Sequence, residues 1–120
     1  MELWQFLSVF LIIPLLVFVS GLLMRKGGPK KINWWMGYRT SMSSKNKETW
    51  VFAHIYCGKL MVVLGAVLIL LSTVAAIFTE RSTFTIGIMV GAQMVAVVIP
   101  IIPTEIALRK AFDKNGERRR

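Results

Sequence analysis

Residues Leu60 to Ile102 read LMVVLGAVLILLSTVAAIF, then TERST, then FTIGIMVGAQMVAVVIPII, and this stretch decides the fold. Each apolar run holds 19 residues without a charge. At a helical rise of about 1.5 Å per residue, such a run matches the roughly 30 Å hydrocarbon thickness of a bilayer. The five residues between the runs, Thr79 to Thr83, leave room only for a tight connection, so the two spans form an antiparallel helical hairpin. Toward the N-terminus, Leu3 to Met24 adds 22 uncharged residues and a further span. A cleavable signal peptide would need a basic leader and an apolar core of about 7 to 15 residues. Glu2 and the longer run argue instead for a retained helix.

The composition agrees. Of the 120 residues, 55% are hydrophobic and 18% charged, with a mean hydropathy of +0.60, which excludes an ordinary water-soluble domain. Cys57 is the single cysteine, so no internal disulfide forms and the redox compartment is left open. The expected architecture is all-α: an integral membrane bundle of three transmembrane helices, with a structured cytoplasmic loop and a short interfacial helix. The spans lie at about 3–24, 60–78 and 84–102, within a single membrane domain 1–112 followed by a mobile basic tail 113–120.

Fifteen Lys and Arg oppose six Asp and Glu, and their placement matters more than the net +9. Eight lie in the loop 25–59, six follow the third span, and only Arg81 lies in the short link. By the positive-inside rule, the N-terminus and short link are outside, and the long loop and tail are cytoplasmic. The same distribution explains the charge by orientation and by attraction to anionic membrane lipids, and no nucleic-acid partner is expected.

Within the loop, Gly27, Gly28 and Pro29 end the first helix, and Trp34, Trp35 and Tyr38 suit the headgroup interface. Ser43 or Ser44 can cap a helix starting near Lys45, with Glu48 in its first turn. Trp50, His54, Cys57 and Met61 then recur on one helical face, with Gly58 a bend or a close-packing point. A neutral His54 can hydrogen-bond a partner from the preceding loop. His54 and Cys57 give two metal ligands at helical spacing, and only Glu105 could help complete a set, so no metal and no other cofactor is expected. Pro100 and Pro103 close the third span and place Glu105 just beyond it, where Arg39 is the expected ion-pair partner.

The run NWWMGYRTSMSSKNKETWVFAHIYCGKL, with Asn33, Gly37, Tyr38, Arg39, Thr40, Ser44, Glu48, Trp50, His54 and Gly58, resembles the signature of the SdpI family of bacterial membrane immunity proteins. The short, three-span members are the nearest in form. Ser41 departs from the proline common after Arg-Thr, and the additional N-terminal spans of longer members are missing. The resemblance implies a bacterial cell-membrane protein that protects against a secreted peptide toxin. In the best-known kind of member it also implies holding a transcriptional repressor at the membrane.

In physical terms, Gly37 permits a turn, Arg39 offers a planar five-donor fork, and Asn33 and Thr40 add neutral hydrogen-bonding groups. With Trp50, His54 and Glu105 they can build a ligand or partner pocket, or they can simply lock the loop to the bundle. The leading reading is non-enzymatic immunity or signalling, since no nucleophile–base pair is recognisable. The alternative is a small membrane enzyme, or a binder of a lipid or other amphipathic ligand, with His54 as base beside Arg39 and Glu105. Transport has little support from the uncharged spans, where Gln93 is the sole amide of the third. Gly87 and Gly91, with Gly65 in the second span, point to close helix contacts within the chain or in a homo-oligomer.

Overall fold

A computed structural model describes residues 2–32 and 37–119. Four helices follow in order: α1 (Leu3–Met24), α2 (Lys47–Phe78), α3 (Thr83–Val98) and α4 (Ile101–Ala111). The only β pairing among the described residues is an isolated bridge between Phe112 and Arg118. Three stretches are long and apolar enough to cross a membrane: α1, α2, and α3 together with α4. Large apolar side chains such as Leu70, Leu71, Phe78, Phe84 and Val95 point outward, as a hydrocarbon solvent requires.

The start of α2 corrects the sequence reading. Its N-cap is Asn46, not Ser43 or Ser44. Asn46 accepts from the Thr49 backbone N–H, and the Thr49 hydroxyl accepts from the Asn46 N–H, a reciprocal capping box at the first turn of the helix. Ser43 is used in a turn, where its hydroxyl and that of Thr40 accept from each other's backbone N–H. The expected interfacial helix and second span are one unbroken helix of 32 residues. The third span is divided: Pro100 has no N–H, Ile99 turns its own N–H to the Ala96 carbonyl, and the chain restarts as α4.

α1 and α2 meet backbone to backbone. A Cβ on Gly58 would lie 2.3 Å from the Arg25 nitrogen, one on Gly21 2.7 Å from the Val62 nitrogen, and one on Gly65 2.7 Å from the Phe18 Cα. Gly58 is therefore a close-packing point and not a bend. Such small-residue contacts replace the hydrophobic effect, which does not drive helices together in lipid.

α3 is joined by one polar contact. Pro14 interrupts α1 and cannot donate to the carbonyl four residues back, Phe10. Gln93 of α3 fills that gap: its buried Nε2 donates to the Phe10 carbonyl at 2.7 Å and to the Ser72 hydroxyl of α2 at 2.8 Å. Phe6, Phe10 and Ala76 pack beside it with Ile86 and Met89.

The bundle measures 54 × 23 × 21 Å. Its loop and its C-terminus share one end, since Asn46 Nδ2 donates to the Gly116 carbonyl at 2.6 Å. Residues 113–119, expected to be mobile, fold into a hairpin. Asp113 Oδ1 accepts from the N–H groups of Asn115 and Glu117, and the Arg118 guanidinium both pairs with Glu48 at 2.8 Å and covers the Phe112 ring.

Two outcomes test this packing. Gly58→Ala should cost about 1–3 kcal/mol through overpacking, whereas Gly87→Ala, with open space around its Cβ, should leave the thermal midpoint in detergent unchanged or slightly raised. Gln93→Leu should cost about 1–2 kcal/mol. That cost should shrink by roughly 0.5–1 kcal/mol in a Pro14→Ala background, where residue 14 regains the N–H for Phe10, as a double-mutant cycle would read.

Candidate functional site at the basic end of the bundle

His54 lies at the centre of this end, fully buried. Its Nδ1 is 2.7 Å from the Trp50 carbonyl one turn earlier, and its Nε2 accepts the Tyr38 backbone N–H at 2.8 Å. A ring that accepts at Nε2 is neutral, and the network assigns its proton to Nδ1. The Trp50 indole stacks obliquely on the imidazole at 4.4 Å, and its Nε1–H donates to the Pro29 carbonyl at 2.9 Å. One turn of α2 therefore pins the loop at two points, Pro29 and Tyr38.

Two glycines make this possible. A Cβ on Gly28 would come within 2.1 Å of His54 Cδ2, and one on Gly37 within 2.4 Å of Nε2. Both have positive φ, +71° and +91°, a region that costs a side-chain-bearing residue free energy. The imidazole fills the space that any other residue at either position would occupy.

From this latch the chain reaches α4. The Tyr38 hydroxyl donates to Glu105 at 2.7 Å. Burial first, then the hydrogen bond to Glu105 and its charge, push the Tyr38 phenol above its ordinary range and keep it a donor. This corrects the expected pairing of Glu105 with Arg39. Along the extended segment after Gly37, Tyr38 faces inward and is buried, which leaves its neighbour Arg39 exposed. Arg39 makes no ion pair among the described residues.

Of the residues singled out in the sequence, Gly37, Trp50 and His54 are brought together, and Glu105 joins them through Tyr38. Thr40 is half-buried in its turn with Ser43, and Asn33, Trp34 and Trp35 lie outside the described residues. Cys57 is buried on the same stripe, beside Tyr38 and Leu108. Among the described residues, no three His, Cys, Asp or Glu side chains group closely enough to hold a metal. Sequence reading missed the roles of Gly28, of the Pro29 carbonyl and of the Tyr38 hydroxyl. The glycine pair flanking a loop opposite one buried imidazole was the available signal for the first.

The fold and the latched loop define a small multi-pass membrane protein whose polar machinery is concentrated at one end. The chain belongs to the SdpI/YfhL protein family: the family profile matches residues 30–104, from the loop through all of α2 and α3 into α4. Comparison with curated proteins and with solved structures returns no match.

The latch generates a measurable expectation. His54→Ala removes the acceptor of Tyr38 and the ring between two glycines, at a cost of about 2–4 kcal/mol. Trypsin should then cut at Lys30 and Arg39 faster than in the wild type, while Arg39→Ala should leave cleavage at Lys30 unchanged.

Proposed function

We propose that this protein is a non-enzymatic immunity or signalling component of a bacterial cell membrane, giving resistance to a secreted peptide toxin. Family membership over residues 30–104 carries the reading, because the matched region contains most of the loop, with Tyr38, Trp50 and His54 of its latch, and α2 and α3. In the proposed orientation the basic end is cytoplasmic and the Thr79–Thr83 link outside, in line with the placement of 14 of the 15 basic residues. A toxin acting on the membrane would meet the outer helix faces. A cytosolic regulator held at the membrane would meet the exposed rim of the latched loop, with Arg39 its most available donor fork.

The second reading, a membrane enzyme with His54 as base, is supported less well. Both ring nitrogens are engaged with backbone groups, and a base needs a free one within reach of its substrate. The cluster of Gly37, Trp50 and His54, joined to Glu105 through Tyr38, is better read as a lock that presents Arg39 than as a cavity enclosing a ligand.

Survival of sensitive bacteria challenged with a panel of secreted peptide toxins separates these readings. Cells expressing the wild type should survive one of them, and equal membrane levels of Arg39→Ala should reduce that protection by about tenfold or more. Absence of protection by either, with no cytosolic protein retained on the purified wild type, would rule the proposal out.

A further inference from the structure

A second polar feature lies beside the latch and shares only Glu105 with it. A cleft of about 500 Å³ opens between the turn before α2, the end of α4 and the C-terminal hairpin. Lys45, Arg109, Lys114 and Arg119 line it, together with Glu105 and Asp113. Two segments remote in sequence, 41–45 and 105–119, thus bring four cations and two acids to one concavity, a net charge of +2.

Both acids are already engaged: Glu105 accepts from Tyr38, and Asp113 from the backbone N–H groups of Asn115 and Glu117. The cations are in the opposite condition. No hydrogen bond or ion pair engages the charged ends of Lys45, Arg109 or Lys114 among the described residues. Arg119 is held in place, its Nε donating to the Arg109 and Phe112 carbonyls at 2.9 and 3.0 Å. That leaves the terminal guanidinium nitrogens available in a fixed orientation. Like charges gathered in a cleft repel one another unless a counter-charge enters, and a preorganised Arg fork suits a tetrahedral oxyanion.

We propose that this cleft binds a phosphate group, carried either by an anionic phospholipid headgroup or by a free phosphorylated solute. Met42 and Phe112 supply an apolar wall, and the cleft adjoins the end of the third apolar stretch, Thr83–Ala111, where a headgroup phosphate would lie in a bilayer. The hairpin completes the site, since Lys114 and Arg119 are brought in only by its fold, which Asn46 and Glu48 anchor to the start of α2. The proposal does not depend on the toxin reading.

The test uses the full chain at physiological ionic strength, with two probes. Inorganic phosphate is titrated by calorimetry onto protein in nanodiscs of phosphatidylcholine. Lipids retained from an equimolar mixture of phosphatidylcholine and phosphatidylglycerol are counted by native mass spectrometry. The wild type should bind phosphate, retain phosphatidylglycerol selectively, or both; the first marks a free-phosphate site and the second a headgroup site. Combined Arg109→Gln and Lys114→Gln should weaken that binding about tenfold or more, whereas Arg81→Gln at the far end should not. Lys45→Gln, which keeps the Cβ and Cγ that lie beside Gly116 of the hairpin and removes only the charge, should weaken it as well. Wild-type protein that takes neither probe, or cleft variants indistinguishable from Arg81→Gln, would overturn the proposal.

Discussion

The imidazole of His54 satisfies two backbone groups from different segments, and the arrangement of the basic end depends on it. A buried N–H without an acceptor costs about 1–3 kcal/mol, so the Tyr38 amide must find Nε2 once the loop leaves water. That bond fixes the position of Tyr38, and through its hydroxyl the loop is tied to Glu105 on α4. Trp50 secures the earlier part of the loop at Pro29. A connection between two spans would otherwise be free to adopt many conformations, and three side-chain hydrogen bonds with two glycine contacts fix its described residues Gly28, Pro29, Gly37 and Tyr38 against α2 and α4.

The helices were legible because the bilayer imposes length and apolarity together, and α1 begins and ends where its uncharged run does. The limits of α2 and α3 were less so. Hydropathy sees Leu60 as the start of a span, but helical backbone bonds do not stop at a change of solvent, so α2 continues from Lys47 without interruption. The stripe from Trp50 to Met61 was readable because it needs only helical periodicity. The partner of Glu105 was not, because Tyr38 and Arg39 are adjacent and differ only in which side of an extended segment they occupy. Periodicity gives no phase for two residues between the Gly37 turn and the Thr40–Ser43 turn.

Inside the membrane the same logic operates with fewer groups. Pro14 leaves one carbonyl without a donor, and Gln93, the amide of α3, supplies it. Each residue alone is a liability in hydrocarbon, and together they specify how α3 sits against α1. Gln93 is also the only buried residue of α3, so this helix is placed by a directional contact more than by area.

The close approach of α1 and α2 at Gly21, Gly58 and Gly65 has a mechanical consequence. Helices whose backbones touch along three successive points cannot slide or splay without losing all three, so the pair behaves as a single strut. α2 at 32 residues is about 48 Å long, well beyond a hydrocarbon thickness of roughly 30 Å. A bilayer that thins or thickens is therefore met by the strut tilting as a unit, carrying the latched loop rigidly with it, while α3, held mainly at Gln93, takes up the difference.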